Sequence, residues 1–218
     1  MDHKRIDRMV KTLKAWAMRW KPTAVSAVAG KSRDPFSILI TCLLSLRTKD
    51  ETTLPAARRL FRIAKTPEEM LKLTPRTIEK AIYPVGFYRT KARTILEVCR
   101  RLLETCEGEV PDELGELLTL KGVGRKTANL VVTRAYGKPG ICVDTHVHRI
   151  TNRWGYVKTK MPEETEMALR RKLPKRHWLA FNDLLVAFGQ NLCRPISPLC
   201  SRCPVEQDCP KVGVTKHR

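Results

Sequence analysis

Three times in its first 75 residues this chain sets a capping side chain directly before a proline: Asp34-Pro35, Thr66-Pro67 and Thr74-Pro75. Proline suits the first turn of a helix, where its missing N–H is no loss. An Asp or Thr just ahead of it accepts a bond from an otherwise orphaned amide. Each pair therefore predicts a helix start, and Glu69 after Thr66 completes a capping-box pattern. Helical spacing governs the rest. Ile6, Met9, Val10, Leu13, Trp16, Ala17 and Trp20 recur at three- and four-residue intervals, and further helical patterns cover roughly 89–106, 112–119, 125–136, 145–154, 162–173 and 177–188. No run sustains the period-two alternation of a strand. The chain is predicted to be all-α, with about ten short helices and no low-complexity tract, long linker or internal repeat.

At 218 residues and 42% hydrophobic content, a sizeable core is available, enough for one large domain or two small ones. The charge is what such a fold does not need. Forty-two Lys and Arg face 22 Asp and Glu, for a net charge of +20. A heavily charged thermophilic surface would add Glu alongside Lys, whereas a polyanionic partner requires the one-sided bias, and nucleic acid is the usual one. No segment pairs a basic face with a wide exposed apolar face, so a membrane surface is not expected. The apolar run Ile38–Leu44 is too short to span a bilayer. The opening MDHKRIDRMV is charged where a secretory signal would turn apolar. The expectation is a soluble, cytoplasmic, prokaryotic protein with no membrane partner.

The most informative stretch is LLTLKGVGRKTANLVVTRAYG, Leu117–Gly137. Two helical patterns meet at Lys121-Gly122-Val123-Gly124-Arg125-Lys126. The two glycines allow a tight turn and a close approach to another surface, and the amides opening the second helix suit an anion. A DNA phosphate fits there, with Arg125 beside it. An ordinary turn between helices is the plainer alternative. Downstream, Asp144 precedes another helical pattern and reads first as an N-cap. The helix from Lys126 to Tyr136 carries the chain about 16 Å away, and the connector Gly137–Val143 can reach back about 23 Å. Lys126 and Asp144 can therefore serve one site.

The chain closes on CRPISPLCSRCPVEQDC, Cys193–Cys209, with cysteines spaced C-x6-C-x2-C-x5-C. It has too many prolines for a long helix and too few apolar residues in a row for a core strand. Something other than packing is expected to hold it. Cys42, Cys99, Cys106 and Cys142 lie among apolar neighbours and read as buried thiols.

In order along the chain, LKGVGRKTAN, then VDTH with Asp144 eighteen residues after Lys126, then the cysteine tail resemble the endonuclease III family of helix-hairpin-helix DNA glycosylases. LLSLRTKD (Leu43–Asp50) and GFYRTKA (Gly86–Ala92) extend the resemblance over essentially the whole chain. It implies two helical domains with a DNA cleft between them. A six-helix barrel spans 27–136 and holds the hairpin, and residues 1–26 join 137–218 in an iron–sulfur domain. Cys193, Cys200, Cys203 and Cys209 are then the ligands of a [4Fe-4S] cluster. Structural zinc is the rival, but its fingers use two close-spaced ligand pairs and only Cys200/Cys203 forms one. Disulfides suit an oxidising compartment instead.

The implied reaction is base excision by a bifunctional glycosylase and AP lyase acting as a monomer on double-stranded DNA that carries damaged bases, expected to be oxidised pyrimidines, or abasic sites. Lys126 is the implied nucleophile. Asp144 is the carboxylate that stabilises the sugar, and Gly122, Val123, Gly124 and Arg125 grip a phosphate. Arg47 and Phe87 take the positions that fill the gap left by a flipped nucleotide. Many family members carry Gln and Leu there, so opposite-base preference is the open point. His146 reads as a local hydrogen-bonding helper and His148 as structural. The alternatives are a monofunctional adenine or mismatched-thymine glycosylase, against which Lys126 speaks, and a non-catalytic DNA-structure binder.

Overall fold

The computed structural model describes residues 2–20, 23–30 and 33–218. Among them are twelve α-helices, two short 3-10 turns and no strand. The helices are α1 (His3–Ala17), α2 (Ala24–Ala29), α3 (Pro35–Ser45), α4 (Asp50–Phe61), α5 (Pro67–Leu71), α6 (Pro75–Ile82), α7 (Tyr88–Cys106), α8 (Leu114–Leu117), α9 (Arg125–Arg134), α10 (Thr145–Arg153), α11 (Pro162–Lys172) and α12 (Trp178–Asn191). None is long and apolar enough to cross a membrane. The chain divides into two compact units, Ala24–Lys138 and Met1–Thr23 with Pro139–Arg218.

All three proline-led starts are helix starts. The Asp34 carboxylate accepts from Ser37 N (2.8 Å), Thr66 Oγ1 from Glu69 N (3.3 Å) and Thr74 Oγ1 from Thr77 N (3.2 Å). The return arm of the expected capping box lands one residue early: Glu69 accepts from Lys65 N at 2.6 Å. Other starts lack such signals. α4 carries Pro55 in its interior and has Lys49 at its N-cap with no side-chain bond. What supports it is charge order, with Asp50 and Glu51 in the first turn and Arg58 and Arg59 in the last, which complements the helix dipole. Asp50 also reaches out to accept from Ala24 N (3.0 Å), capping α2.

In the unit 24–138, α3 is the centre. Its sequence PFSILITCLLS is apolar nearly all round, so every face must be covered; Phe36 and all residues from Ile38 to Leu44 are buried. It packs against α2, α4, α7 and α9. The one buried hydroxyl on it, Thr41, is satisfied by Ser37 O at 2.7 Å. In the second unit, Ile6, Met9, Val10 and Leu13 of α1 share a core with Leu185 and Phe188 of α12, and Trp154 lies 6.2 Å from Phe188 between ring centroids. Each such side chain, fully buried, stabilises the unit by roughly 1.5–3 kcal/mol. Leu199, Val205 and three of the tail cysteines belong to this core. The tail is therefore packed, contrary to expectation.

Candidate active site

The hairpin is built as the glycines require. Gly122 has φ +77°, and a Cβ there would come within 2.9 Å of Thr94 Cγ2. Only glycine fits without strain. Val123 between the glycines is buried, and its amide bonds Leu120 O at 3.1 Å. Gly124 is the N-cap of α9 in extended backbone (φ −92°, ψ 175°), and a Cβ there would meet no atom within 4 Å. Nothing inside the protein demands a glycine at 124. Arg125 and Lys126 follow as the first two residues of α9, Arg125 half-buried and Lys126 exposed. The neighbouring Lys121 is tied to Glu97 (2.6 Å). The first amides of an α-helix have no partner within it, so this end presents N–H groups and cationic side chains together.

Asp144 is 7% exposed and caps α10: its Oδ1 accepts from His146 N and Val147 N, both at 2.9 Å. His146 Nδ1 lies 3.1 Å from Arg149, and a Cβ on Gly189 of α12 would collide with this imidazole. That glycine carries no motif and is legible only from the packing. His148 bonds Thr165 Oγ1 at 2.7 Å, in keeping with a structural part.

Arg47 and Phe87 stand in two separate turns, and the Arg47 guanidinium lies 5.7 Å over the exposed Phe87 ring. Their stacking on each other is not deducible from sequence.

Cys193, Cys200, Cys203 and Cys209 line one pocket, together with Arg153 and Lys211. Among the described residues, no three His, Cys, Asp or Glu side chains are gathered for a single ion. Burial pushes the Cys203 thiol up to about 12 and raises those of Cys200 and Cys209. Cationic groups stand beside them, with Arg153 3.4 Å from Cys193 Sγ. Arg153 also donates to Arg194 O and Pro195 O (2.6 Å each), and Arg149 donates to Cys193 O (2.9 Å). These arginines organise the loop, and no sequence motif announced them. Of the other cysteines, Cys42, Cys99 and Cys142 are buried as predicted, but Cys106 at the end of α7 is only half-buried.

The model of the HhH-GPD superfamily of base excision DNA repair proteins matches residues 40–175, which includes the hairpin, Lys126 and Asp144. Endonuclease III of Thermotoga maritima is 49% identical over 179 residues, 82% of this chain and 84% of that protein. A solved trapped endonuclease III–DNA covalent intermediate is 32% identical with a TM-score of 0.85, covering 97% of both chains. A thermostable thymine-DNA glycosylase structure is 27% identical with a TM-score of 0.83, covering 95% of this chain and 96% of that one. With its matched hairpin and its match to endonuclease III over most of both chains, this chain belongs to the endonuclease III family of the HhH-GPD base excision DNA repair proteins.

Proposed function

We propose that Lys126 and Asp144 carry the glycosylase and AP lyase chemistry of this base-excision enzyme on double-stranded DNA with oxidised pyrimidines or abasic sites. One observation supports it above the others. Lys126 stands exposed on the first turn of α9, two residues after a glycine that the protein's own packing does not require. A phosphate held by the hairpin amides would set the strand against that turn. The duplex opens and the damaged nucleotide flips out. The Lys126 amine forms a bond to C1′ while the glycosidic bond breaks and its electron pair leaves with the base. The Asp144 carboxylate stabilises positive charge on the sugar and takes the proton released by the amine. The C1′–O4′ bond then breaks as the nitrogen lone pair forms the Schiff base, and O4′ takes the proton back from Asp144. Loss of a C2′ proton then expels the 3′ phosphate, and water releases Lys126. An amine at position 126 favours this bifunctional course over that of a monofunctional glycosylase.

Cys193, Cys200, Cys203 and Cys209 would hold a [4Fe-4S] cluster. The one pocket that these four cysteines line, and the cations around it, support four thiolates on one group. When bound, that group supplies a cross-link within the tail loop. On this reading the protein works as a monomer on nucleoid DNA.

Lesion and abasic duplexes separate the two roles. Asp144→Asn keeps the capping oxygen, so the fold persists, while thymine-glycol excision slows by about two orders of magnitude. On a pre-formed abasic site no base must leave, so Asp144→Asn retains more activity there than in excision, and Lys126→Gln loses most of both. Equal losses for Asp144→Asn on the two substrates would contradict its assigned role.

A further inference from the structure

Arg47 (φ +51°) and Phe87 (φ +58°) both adopt left-handed backbone, which a non-glycine residue holds only where its surroundings enforce it. The enforcing group is Lys91. Its side chain, 8% exposed, runs from the start of α7 to the end of α3. The ammonium donates to Leu44 O (2.7 Å), Leu46 O (2.5 Å) and Thr48 Oγ1 (3.1 Å). An ammonium has three N–H donors, and all three are used here. The Thr48 hydroxyl also accepts from Gly86 N (3.1 Å) and donates to Leu46 O (3.2 Å), so its own capacity is filled. A Cβ on Gly86 would lie 2.8 Å from Arg47 O, so the two turns touch backbone to backbone. On the far side, Arg59 of α4 fixes the second turn by donating to Ala81 O (2.8 Å) and to Tyr83 O. Burial pulls the Lys91 pKa down to about 8, which leaves the amine charged at neutral pH. The carbonyls at the negative end of α3 suit that charge.

We propose that Lys91 is a positioning residue for base extrusion: its buried amine locks the Arg47 and Phe87 turns into one body that meets the duplex as a single stacked wedge. This rests on the reading of Arg47 and Phe87 as the groups that fill the flipped-base gap. No motif assigns Lys91 this part, and in this role it touches neither DNA nor the reacting sugar. A preformed wedge needs no ordering of two loops at the moment of insertion, so Lys91 affects duplex substrates and leaves unstacked ones alone.

The informative quantity is the ratio of thymine-glycol excision from duplex to cleavage of an abasic site in a single-stranded oligonucleotide, where no stack is breached. Lys91→Met removes the donors at similar length and is expected to lower this ratio about tenfold. In an Arg47→Ala/Phe87→Ala background the same change is expected to cost less than about twofold, because its route of action is already gone. If Arg47→Ala/Phe87→Ala alone leaves the ratio intact, the wedge reading itself fails. If that double variant lowers the ratio but Lys91→Met does not, or if the losses add fully, or if Lys91→Met depresses both substrates equally, the Lys91 proposal is overturned. Should Lys91→Met not fold, Thr48→Val removes the hydroxyl shared by both turns at constant shape, and the same outcomes apply.

Discussion

The two hairpin glycines should answer differently to the same substitution. At Gly122 an alanine must take φ +77° and sit 2.9 Å from Thr94 Cγ2. The left-handed backbone alone costs about 1–2 kcal/mol, and displacing Thr94 adds to it. At Gly124 the backbone is extended and a Cβ meets nothing within 4 Å. The loss of a glycine N-cap and the lower entropy of the unfolded alanine chain nearly cancel, leaving stability within about 0.5 kcal/mol. DNA binding should behave otherwise. A methyl group at 124 stands where the backbone would meet a phosphate, and losing one charge-assisted amide bond costs about 1.5–3 kcal/mol, roughly ten- to hundredfold in Kd. Gly124→Ala should therefore melt with the wild type but bind duplex weakly, whereas Gly122→Ala should lose both. Thermal denaturation and fluorescence anisotropy on an undamaged duplex, titrated over salt, measure the two effects. Gly124→Ala removes no cation, so its salt slope should stay close to that of the wild type while its affinity falls. Wild-type affinity in a folded Gly124→Ala protein would refute the hairpin as a phosphate grip.

Two further outcomes follow from the second unit. Cys203→Ser should lower bound iron from about four per chain toward none in anaerobically purified protein; stoichiometric zinc without iron in the wild type would refute the cluster assignment. The loop should loosen rather than unfold, because Arg149 and Arg153 still hold its backbone. Hydrogen bonds from His177 and Arg176 hold the Asp7 carboxyl below its ordinary 3.8. The stability it contributes is complete above that value and is lost as pH falls through the depressed one. Asp7→Asn should flatten this acid limb of melting temperature against pH, and an unchanged limb would discount the interaction.

Much of this architecture was legible because it rests on local chemistry. Asp34, Thr66 and Thr74 announce their helices through atoms within three residues, and α3 announces its burial by having no polar face. α4 stayed hidden because Pro55 contradicts its pattern and its support is charge order rather than a cap. The hairpin read clearly because Gly122 serves backbone geometry. Gly124 has no such local reason, as its open side shows. Long-range partners left no trace in sequence. Lys91 reaches α3 across more than forty residues, Arg153 bonds the cysteine loop from α10, and Gly189 yields its side chain to His146. The tail misled for a related reason: apolar residues such as Leu199 and Val205 reach the core singly, and no periodic pattern marks them.

The proposed role of the Lys126 amine as nucleophile is open to a direct test. Borohydride reduction during turnover of an abasic duplex, followed by digestion and mass spectrometry, locates the covalent bond on the chain. A single reduced adduct is expected on Lys126, and none in Lys126→Gln protein that still binds the duplex. An adduct on any other lysine, or trapping at the wild-type rate in Lys126→Gln, would contradict it.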